Sequence, residues 1–255
     1  MDDLALLVVS CDKYSDLWDI FWILIEKYWN DCTLTKYLGT NYFNYAKNNV
    51  RTIQVGEDRS WAENVRKMLE QVQENYVVMM LEDFFIDRRI INEKIKILYD
   101  HMVIHGYDCL RLEPSPPPIK ADNKNLRIGK LIPGSPYYVD TQPAIWKKSV
   151  LLELLVEGYS AWDFEIKNSE QSGNSKYTFY CTKDYILHHR NGVERGKYYK
   201  STVEMLEKNN INVNYEERGI IDDSGIRRKL SLLKYRMEIF KETYRVYLKY
   251  QKSKL

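Results

Sequence analysis

Short, nearly uninterrupted apolar runs alternate with amphipathic helical segments over the first third of the chain, and this order constrains the fold most. Runs typical of strands occupy residues 4–10 (LALLVVS), 33–41, 50–56 and 76–86. Helical patterns occupy about 15–29, with Ser15 as N-cap, and 58–76, with Asp58 or Ser60 as cap and Glu63 in a capping box. Continuous apolar strands are typical of sheets covered on both faces. The order β-α-β-β-α-β therefore predicts an α/β fold, with an open, mostly parallel sheet flanked by helices.

The rest of the chain continues the alternation with more turn signals. The pattern predicts a helix over 87–108 that ends at Gly106, a strand over 109–114, two strand-like runs within 125–149, helices over 150–158 and 161–171, and a strand over 178–189. The prolines of 114–118 (PSPPP) end the strand before them, because proline has no amide hydrogen to donate.

The C-terminal segment has a different composition. From Ser224 onwards, apolar residues recur at spacings of three and four among many basic residues. The apolar set is Leu230, Leu233, Met237, Phe240, Tyr244, Tyr247 and Leu248. This pattern predicts a long basic amphipathic helix, and it divides the chain into a domain of residues 1–222 and an appendage of residues 223–255. Such a helix either binds an anionic membrane surface or packs on the domain or on a second subunit.

Composition excludes several classes of protein. The net charge of +2 does not indicate a nucleic-acid-binding protein. The four cysteines form no C-x-x-C pair, which favours reduced thiols of a cytoplasmic protein. The most apolar segment, residues 17–29, is interrupted by charged residues, so it predicts a buried helix rather than a membrane span. The sequence has no G-x-x-x-x-G-K-[ST] and no G-x-S-x-G motif, which argues against a P-loop enzyme and a serine hydrolase.

Two adjacent acids, Glu82 and Asp83, follow the most apolar strand. In open α/β sheets, ligands bind beyond the carboxyl ends of the strands. Neighbouring carboxylates repel each other, and a cation between them and a ligand makes the arrangement favourable. A divalent ion that bridges a pyrophosphate is one such case. The alternative is that the pair begins a loop and Asp83 caps the next helix.

Four segments together resemble bacterial glycosyltransferases of the GT-A fold, of the kind that builds capsule or lipopolysaccharide. They are residues 6–18 (LLVVSCDKYSDLW), 76–86 (YVVMMLEDFFI), 139–155 (VDTQPAIWKKSVLLELL) and 160–166 (SAWDFEI), and the resemblance covers roughly residues 4–190. It implies a GT-A-like, Rossmann-like domain that moves a sugar from a nucleoside diphosphate sugar to a saccharide or lipid-linked saccharide. It also implies an inverting reaction in the cytoplasm, at the inner face of a bacterial membrane.

The resemblance assigns the donor site residue by residue. Ser10, Cys11, Asp12 and Tyr14 would contact the base and ribose, with Asp58, Arg59 and Trp61 near the nucleotide, and Glu82 and Asp83 in place of the family's D-x-D motif. Asp83, with His188, would bind Mn²⁺ or Mg²⁺. Leu81 and Phe85 occupy the positions where a second aspartate would complete D-x-D. A metal-free site that uses basic side chains, from the set Arg111, Lys120, Arg127 and Lys130, therefore stays open.

The resemblance places the acceptor side in residues 139–165. Asp163 or Glu165 would act as the general base, and Asp140, Gln142 and Trp162 would contact the acceptor sugar. Residues two apart on a helix point about 200° apart, so only one of the two acids faces the sugar. The alternative for both acids is stabilisation of the first turn of a helix.

Two other functions remain open at this point. A nucleotidyltransferase shares the α/β plan and the metal-bound phosphates, although its first loop usually contains glycines that residues 10–16 lack. A non-catalytic scaffold protein that keeps the fold would also explain the incomplete D-x-D motif.

Overall fold

The computed structural model of the protein describes residues 1–47 and 49–253, apart from the side chain of Glu216. Its strands are β1 (Leu4–Val9), β2 (Thr35–Thr40), β3 (Val50–Gln54), β4 (Tyr76–Leu81), β5 (Phe84–Ile86), β6 (Cys109–Arg111), β7 (Ile128–Lys130), β8 (Ala144–Lys147), β9 (Phe179–Thr182), β10 (His189–Asn191), β11 (Val193–Glu194), β12 (Lys197–Tyr199) and β13 (Ile220–Ile221). The helices are α1 (Trp18–Tyr28), α2 (Trp61–Gln71), α3 (Asn92–Ile104), α4 (Lys148–Leu154), α5 (Ala161–Gln171), α6 (Lys200–Lys208), α7 (Tyr215–Arg218) and α8 (Ile226–Lys252).

The centre of the domain is an eight-stranded sheet in the order β3-β2-β1-β4-β8-β6-β9-β7. The first four strands in this order are parallel, whereas β8 runs antiparallel to both of its neighbours, β4 and β6. The antiparallel β8 brings its N-terminal end to the edge where β1 and β4 have their carboxyl ends. This edge therefore collects residues from both halves of the sheet.

Both faces of the sheet are covered, as the continuous apolar strands predict. Every residue of β1 is buried, and its side chains alternate between two cores. One core contains α1 and α3, and the other contains α2, α4 and α5. The predicted α/β class and the mostly parallel sheet flanked by helices are confirmed.

Several predicted boundaries were wrong. A 3-10 helix occupies Asp12–Leu17, so α1 begins later than expected and its N-cap is Leu17 rather than Ser15. Ser60 caps α2 as predicted, because its hydroxyl oxygen accepts the Glu63 amide at 3.2 Å. The run over 76–86 is two strands rather than one, since the chain turns at the acid pair between β4 and β5.

Sequence patterns predict none of the elements between residues 190 and 223. β10 pairs antiparallel with β5, and β11, β12 and β13 form a small separate sheet. Helices α6 and α7 lie between β12 and β13 along the chain. These elements cover the candidate site described below.

The predicted C-terminal helix is confirmed as α8, which is 27 residues long. Residues 254 and 255 of the predicted appendage lie outside the described residues. Within the described ranges, no helix combines the length and the apolar content that crossing a membrane requires.

Candidate functional site

The acid pair lies where β4 ends, next to the loop that follows β1 in the sheet. The negative charge of Glu82 acts on the thiol of Cys11, as does that of Asp58 after β3. Burial, the largest cause, and these charges together raise the pKa of the Cys11 thiol to about 11. The structure thus brings together residues from three separate predicted segments at one edge of the sheet.

Both members of the acid pair are difficult to ionise in this surrounding. Glu82 is only 8% exposed, and its burial, followed by the charge of Asp83, raises its pKa well above the usual value for a glutamate. Burial raises the pKa of Asp83 to about 6, although the Val193 amide and the positive field of His189 partly oppose this rise. Two desolvated carboxylates side by side repel each other when both are ionised.

A short two-stranded cover holds the acid pair in place. The Gly192 amide, directly after β10, donates to the Asp83 carbonyl oxygen at 2.6 Å, and the Val193 amide lies 3.5 Å from Asp83 Oδ2. A Cβ atom at Gly192 would lie 2.7 Å from the Phe85 ring and 3.1 Å from the Asp83 carbonyl oxygen. Only glycine lets β10 approach the acid pair this closely.

Arg218, at the end of α7, is a site residue that sequence analysis missed. Its guanidinium group binds both carboxylate oxygens of Asp16, at 2.5 and 2.6 Å, and donates to the Lys13 carbonyl oxygen at 3.0 Å. It also lies 4.8 Å from the centre of the Tyr14 ring. Its charge lowers the pKa of Glu82 and of Asp83 against the larger effect of burial. No local motif marks Arg218, because its partners are about 200 residues away in sequence.

Two of the predicted base-binding residues hold the first loop in shape. The carboxylate of Asp12 accepts the backbone amides of Asn41 and Tyr42, each at 2.9 Å, and of Phe43 at 3.2 Å. The hydroxyl oxygen of Ser10 accepts the indole N–H of Trp18 at 2.7 Å. The Asp12 contacts hold this loop against the segment after β2, and the Ser10 contact holds it against α1.

An open cavity of about 570 Å³ lies beside this loop, between α1 and residues 42–47. Trp18, Asp19 and Tyr45 contribute to its wall, and Lys47 binds Asp19 at 2.9 Å at its rim. The acid pair does not line this cavity.

The three residues predicted near the nucleotide after β3 have different surroundings. Asp58 is exposed and accepts the Asn64 side-chain amide at 2.6 Å, and Arg59 is exposed and pairs with Glu57. Trp61 begins α2 and packs against Phe164 with the ring centres 5.1 Å apart.

At the second carboxylate cluster, Asp163 is part of a helix cap. It forms a capping box with Ser160 and an ion pair with Lys167 at 2.7 Å. The hydrogen bond from Lys167, followed by that from Ser160, lowers the pKa of Asp163 to about 2. A carboxylate with this pKa is a weak base. Trp162 is 71% exposed at the same helix end.

Glu165 points to a different partner. Its Oε1 accepts the backbone amide of Thr141 at 2.8 Å and the Thr141 hydroxyl at 2.6 Å. Asp140, the preceding residue, is fully buried, and its Oδ2 lies 2.9 Å from Nη1 of Arg111. Burial, the largest cause, raises the pKa of Asp140 to about 7. The attraction of Arg111 lowers this pKa and the repulsion of Glu165 raises it. Glu165, Asp140 and half-buried Gln142 thus meet just before β8, at the same edge as the acid pair.

The predicted metal ligand His188 contacts the carboxylate of Asp87 in this structure. Its Nδ1 lies 2.5 Å from Asp87, which Arg190 also binds, at 2.7 Å. The neighbouring His189 instead stacks on Phe84 with the ring centres 4.1 Å apart. In the part of the chain that the structure describes, no group of three or more His, Cys, Asp or Glu side chains is arranged to hold a metal ion.

Of the basic residues considered for a metal-free site, three have carboxylate partners elsewhere, and one of them, Lys120, lies 3.8 Å from Asp122. Arg111 pairs with buried Asp140, and Arg127 binds Asp184 on the surface at 2.9 Å.

Comparison with known proteins identifies the fold. No protein-family model matches the chain, and no curated protein is similar to it in sequence. Among solved structures, a fragment of S. aureus TarS, residues 1–349, matches with a TM-score of 0.50 and 9% identity, over 74% of this chain and 60% of that fragment. The same fragment in complex with UDP-GlcNAc matches with a TM-score of 0.48 and 12% identity, over 81% and 65% of the two chains. A UDP-glucose pyrophosphorylase complexed with UDP-glucose matches with a TM-score of 0.46 and 6% identity, over 74% and 92%.

At these identities the likeness concerns the fold alone. TarS has the GT-A fold, so the comparison with its fragment confirms the predicted GT-A-like architecture. The present chain spans only 60% of the length of that fragment.

Proposed function

We propose that the protein is a glycosyltransferase that moves a sugar from a nucleoside diphosphate sugar to a saccharide hydroxyl, with inversion at the anomeric carbon. The observation that carries this proposal is the acid pair Glu82 and Asp83 at the carboxyl end of β4, inside a GT-A-like sheet. That edge is where open α/β sheets bind their ligands. The structural likeness to the TarS fragment supports the same assignment. That fragment has also been solved in complex with UDP-GlcNAc.

The donor site is proposed to need a cation. Glu82 and Asp83 are desolvated and repel each other, so a positive charge stabilises their ionised forms and attracts a diphosphate. Mg²⁺ or Mn²⁺ held by Asp83 with Glu82 would neutralise the charge of the leaving diphosphate. Magnesium sites often use one or two protein carboxylates together with phosphate oxygens, so a donor set of this size fits. Tyr14 and Cys11 are proposed to contact the nucleoside from the loop after β1.

We assign the general base to Glu165 rather than to Asp163. Asp163 is held in a helix cap with its pKa near 2, whereas Glu165 points towards the segment before β8 and accepts its two hydrogen bonds from Thr141, which is uncharged. In the proposed step, the acceptor oxygen attacks the anomeric carbon and its proton passes to the Glu165 carboxylate. The bond between that carbon and the diphosphate oxygen breaks, and its electron pair leaves with the nucleoside diphosphate.

The acceptor is proposed to be a saccharide or lipid-linked saccharide of a capsule or lipopolysaccharide pathway, processed at the inner face of a bacterial membrane. Gln142, next to the Thr141 that binds the assigned base, and exposed Trp162, on the same helix as that base, would contact the acceptor sugar, whereas buried Asp140 would hold this segment through Arg111. An indole face suits the apolar C–H patches of a sugar ring.

A pair of matched variants tests the proposal. Purified protein is incubated with UDP- and GDP-sugars, with and without Mn²⁺, and both nucleoside diphosphate release and nucleotide affinity are measured. Glu165→Gln keeps the hydrogen-bonding shape but cannot accept the proton, so turnover should fall at least about 100-fold while nucleotide affinity is kept. Asp163→Asn should keep turnover and lower stability only slightly, because Asp163 belongs to an exposed helix cap.

Three results would contradict the proposal. Normal turnover of Glu165→Gln would remove the assigned base. Release of pyrophosphate from a nucleoside triphosphate and a sugar phosphate would indicate a nucleotidyltransferase. Failure to bind any nucleotide, with or without metal, would favour a non-catalytic scaffold.

A further inference from the structure

The outer face of α8 has an apolar stripe that nothing in the described chain covers. The stripe consists of Ile226, Leu230, Leu233, Met237, Phe240, Tyr244 and Leu248, whose exposed fractions lie between 44% and 76%. Each is three or four residues from the next, which keeps them on one side of the helix. Such a contiguous exposed apolar surface on a long helix is typical of a binding surface.

Contacts made by the opposite face of α8 orient the stripe away from the rest of the protein. Thr243 is buried against the protein, and the hydroxyl groups of Tyr235 and Tyr137 are in contact. Near its first turn, Arg228 binds Glu194 at 2.6 Å and the Tyr199 hydroxyl at 3.1 Å. Because contacts at both ends hold the inner face, the helix does not need to rotate to present its stripe.

The borders of the stripe are uniformly basic over much of its length. From Ile226 to Lys241, each position that flanks the stripe carries a positive charge: Arg227, Lys229, Lys234, Arg236 and Lys241. The two acids of the helix, Glu238 and Glu242, lie about 120° or more around the helix from the centre of the stripe. All five flanking cations are exposed.

This charge pattern distinguishes between two kinds of occupant. A stripe with this spacing would suit a coiled coil with a second copy of α8, in which flanking residues face each other. In both the parallel and the antiparallel arrangement, the basic borders of the two copies would then meet and repel. An anionic surface has the complementary charge.

We propose that the outer face of α8 is a docking surface for anionic lipid, with the apolar stripe buried among acyl chains and the basic borders at the headgroups. Helices that lie in a membrane interface combine an apolar face with Lys and Arg beside it. The inner face of α8 contacts Tyr137 in the segment that leads to Asp140, so docking would place the candidate acceptor edge close to the membrane. The proposal does not depend on the sugar transfer, because its test requires no substrate.

Vesicle co-sedimentation tests the docking surface with the full chain. The protein is mixed with vesicles of phosphatidylcholine alone and with vesicles that contain phosphatidylglycerol, and the bound fraction is measured. Three variants are compared, each with its fold checked by circular dichroism. Leu233→Ser/Phe240→Ser alters the stripe, Lys234→Glu/Lys241→Glu alters its border, and Lys94→Glu/Lys124→Glu makes the same charge change at exposed sites elsewhere.

We expect binding to the anionic vesicles only. Each basic residue near such a surface contributes about a fivefold factor to partitioning. The border variant lacks two of them, so it should bind at least about 25-fold more weakly. The stripe variant should lose about tenfold or more, and the control variant should bind like the wild type.

Several outcomes of this experiment would overturn the proposal, and each indicates a different explanation for the stripe. Absence of binding to the anionic vesicles, or equal binding to both vesicle types, would refute it. Binding unaffected by the stripe variant would show only a diffuse charge attraction. A dimer in light scattering that the stripe variant dissociates would show that a second copy covers the stripe.

Discussion

Replacing Asp83 with asparagine is expected to stabilise the ligand-free protein at neutral pH, although it removes a residue of the candidate site. Burial, the largest cause, raises the pKa of Asp83 from 3.8 to about 6, so the folded state disfavours the ionised form. A rise of this size corresponds to about 3 kcal/mol of lost stability at pH values above 6. Asparagine keeps an oxygen for the Val193 amide but is also desolvated, so the expected net gain is about 1–3 kcal/mol.

The sign of the pH dependence follows from linkage. Because the pKa is higher in the folded state than in the unfolded state, the ionised carboxylate destabilises the fold above pH 6. This destabilisation decreases as the pH falls through 6, and it is absent below 3.8, where both states are protonated. The advantage of Asp83→Asn should therefore be present near pH 7.5 and nearly absent near pH 4. Loss of the Asp83 charge also relieves the repulsion that raises the pKa of Glu82, which adds to the gain.

Urea denaturation at several pH values measures this difference. Asp31→Asn is a matched control, because it makes the same chemical change at an exposed position and should shift the midpoint little. A variant that is less stable than wild type near pH 7.5 would refute the reasoning, as would a stability difference that does not change with pH. Either result would mean that water solvates the Asp83 carboxylate.

Two further substitutions probe the packing around the two clusters. Gly192→Ala should destabilise the protein by about 1–3 kcal/mol and weaken nucleotide binding, because the new Cβ would lie 2.7 Å from the Phe85 ring. Thermal denaturation measures the loss of stability. Gly225→Ala is the control, because a Cβ at Gly225 meets no atom within 4 Å. Arg111→Met should lower the free energy of unfolding in urea by about 3–5 kcal/mol, because it leaves the Asp140 carboxylate buried without its cation. Removing both charges in Arg111→Met/Asp140→Leu should recover part of this loss, and no recovery would show that the ion pair is not the cause.

The sequence was sufficient to predict the parts of the fold that depend on local patterns. The continuous apolar strands β1 and β4 and the Ser60 cap of α2 follow from hydrophobic periodicity and capping chemistry. The position of Glu82 and Asp83 at a sheet edge followed from the same patterns, since ligand sites in such sheets lie at strand ends. The long amphipathic pattern of residues 226–252 likewise predicted α8.

The parts that could not be predicted depend on contacts between distant residues. β10 is only three residues long, and its pairing with β5 joins positions about 100 residues apart. No local hydrophobic periodicity can therefore predict this pairing. Arg218 is one of many basic residues in the sequence, and only the fold brings it to Asp16 and Tyr14. The acids Asp163 and Glu165 show the same limit. The sequence marks both as candidates, but their hydrogen-bond partners separate a helix cap from a side chain that faces Thr141.

The pairing of β5 with β10 and the ion pair of Arg218 with Asp16 also have a consequence for biosynthesis. A ribosome makes the acid pair early, but the strand and the arginine that cover it emerge more than 100 residues later. Contacts that close such long loops form late in folding. A nascent chain that stalls before residue 189 would therefore expose two unshielded carboxylates and the free edge of β5, a surface that chaperones bind.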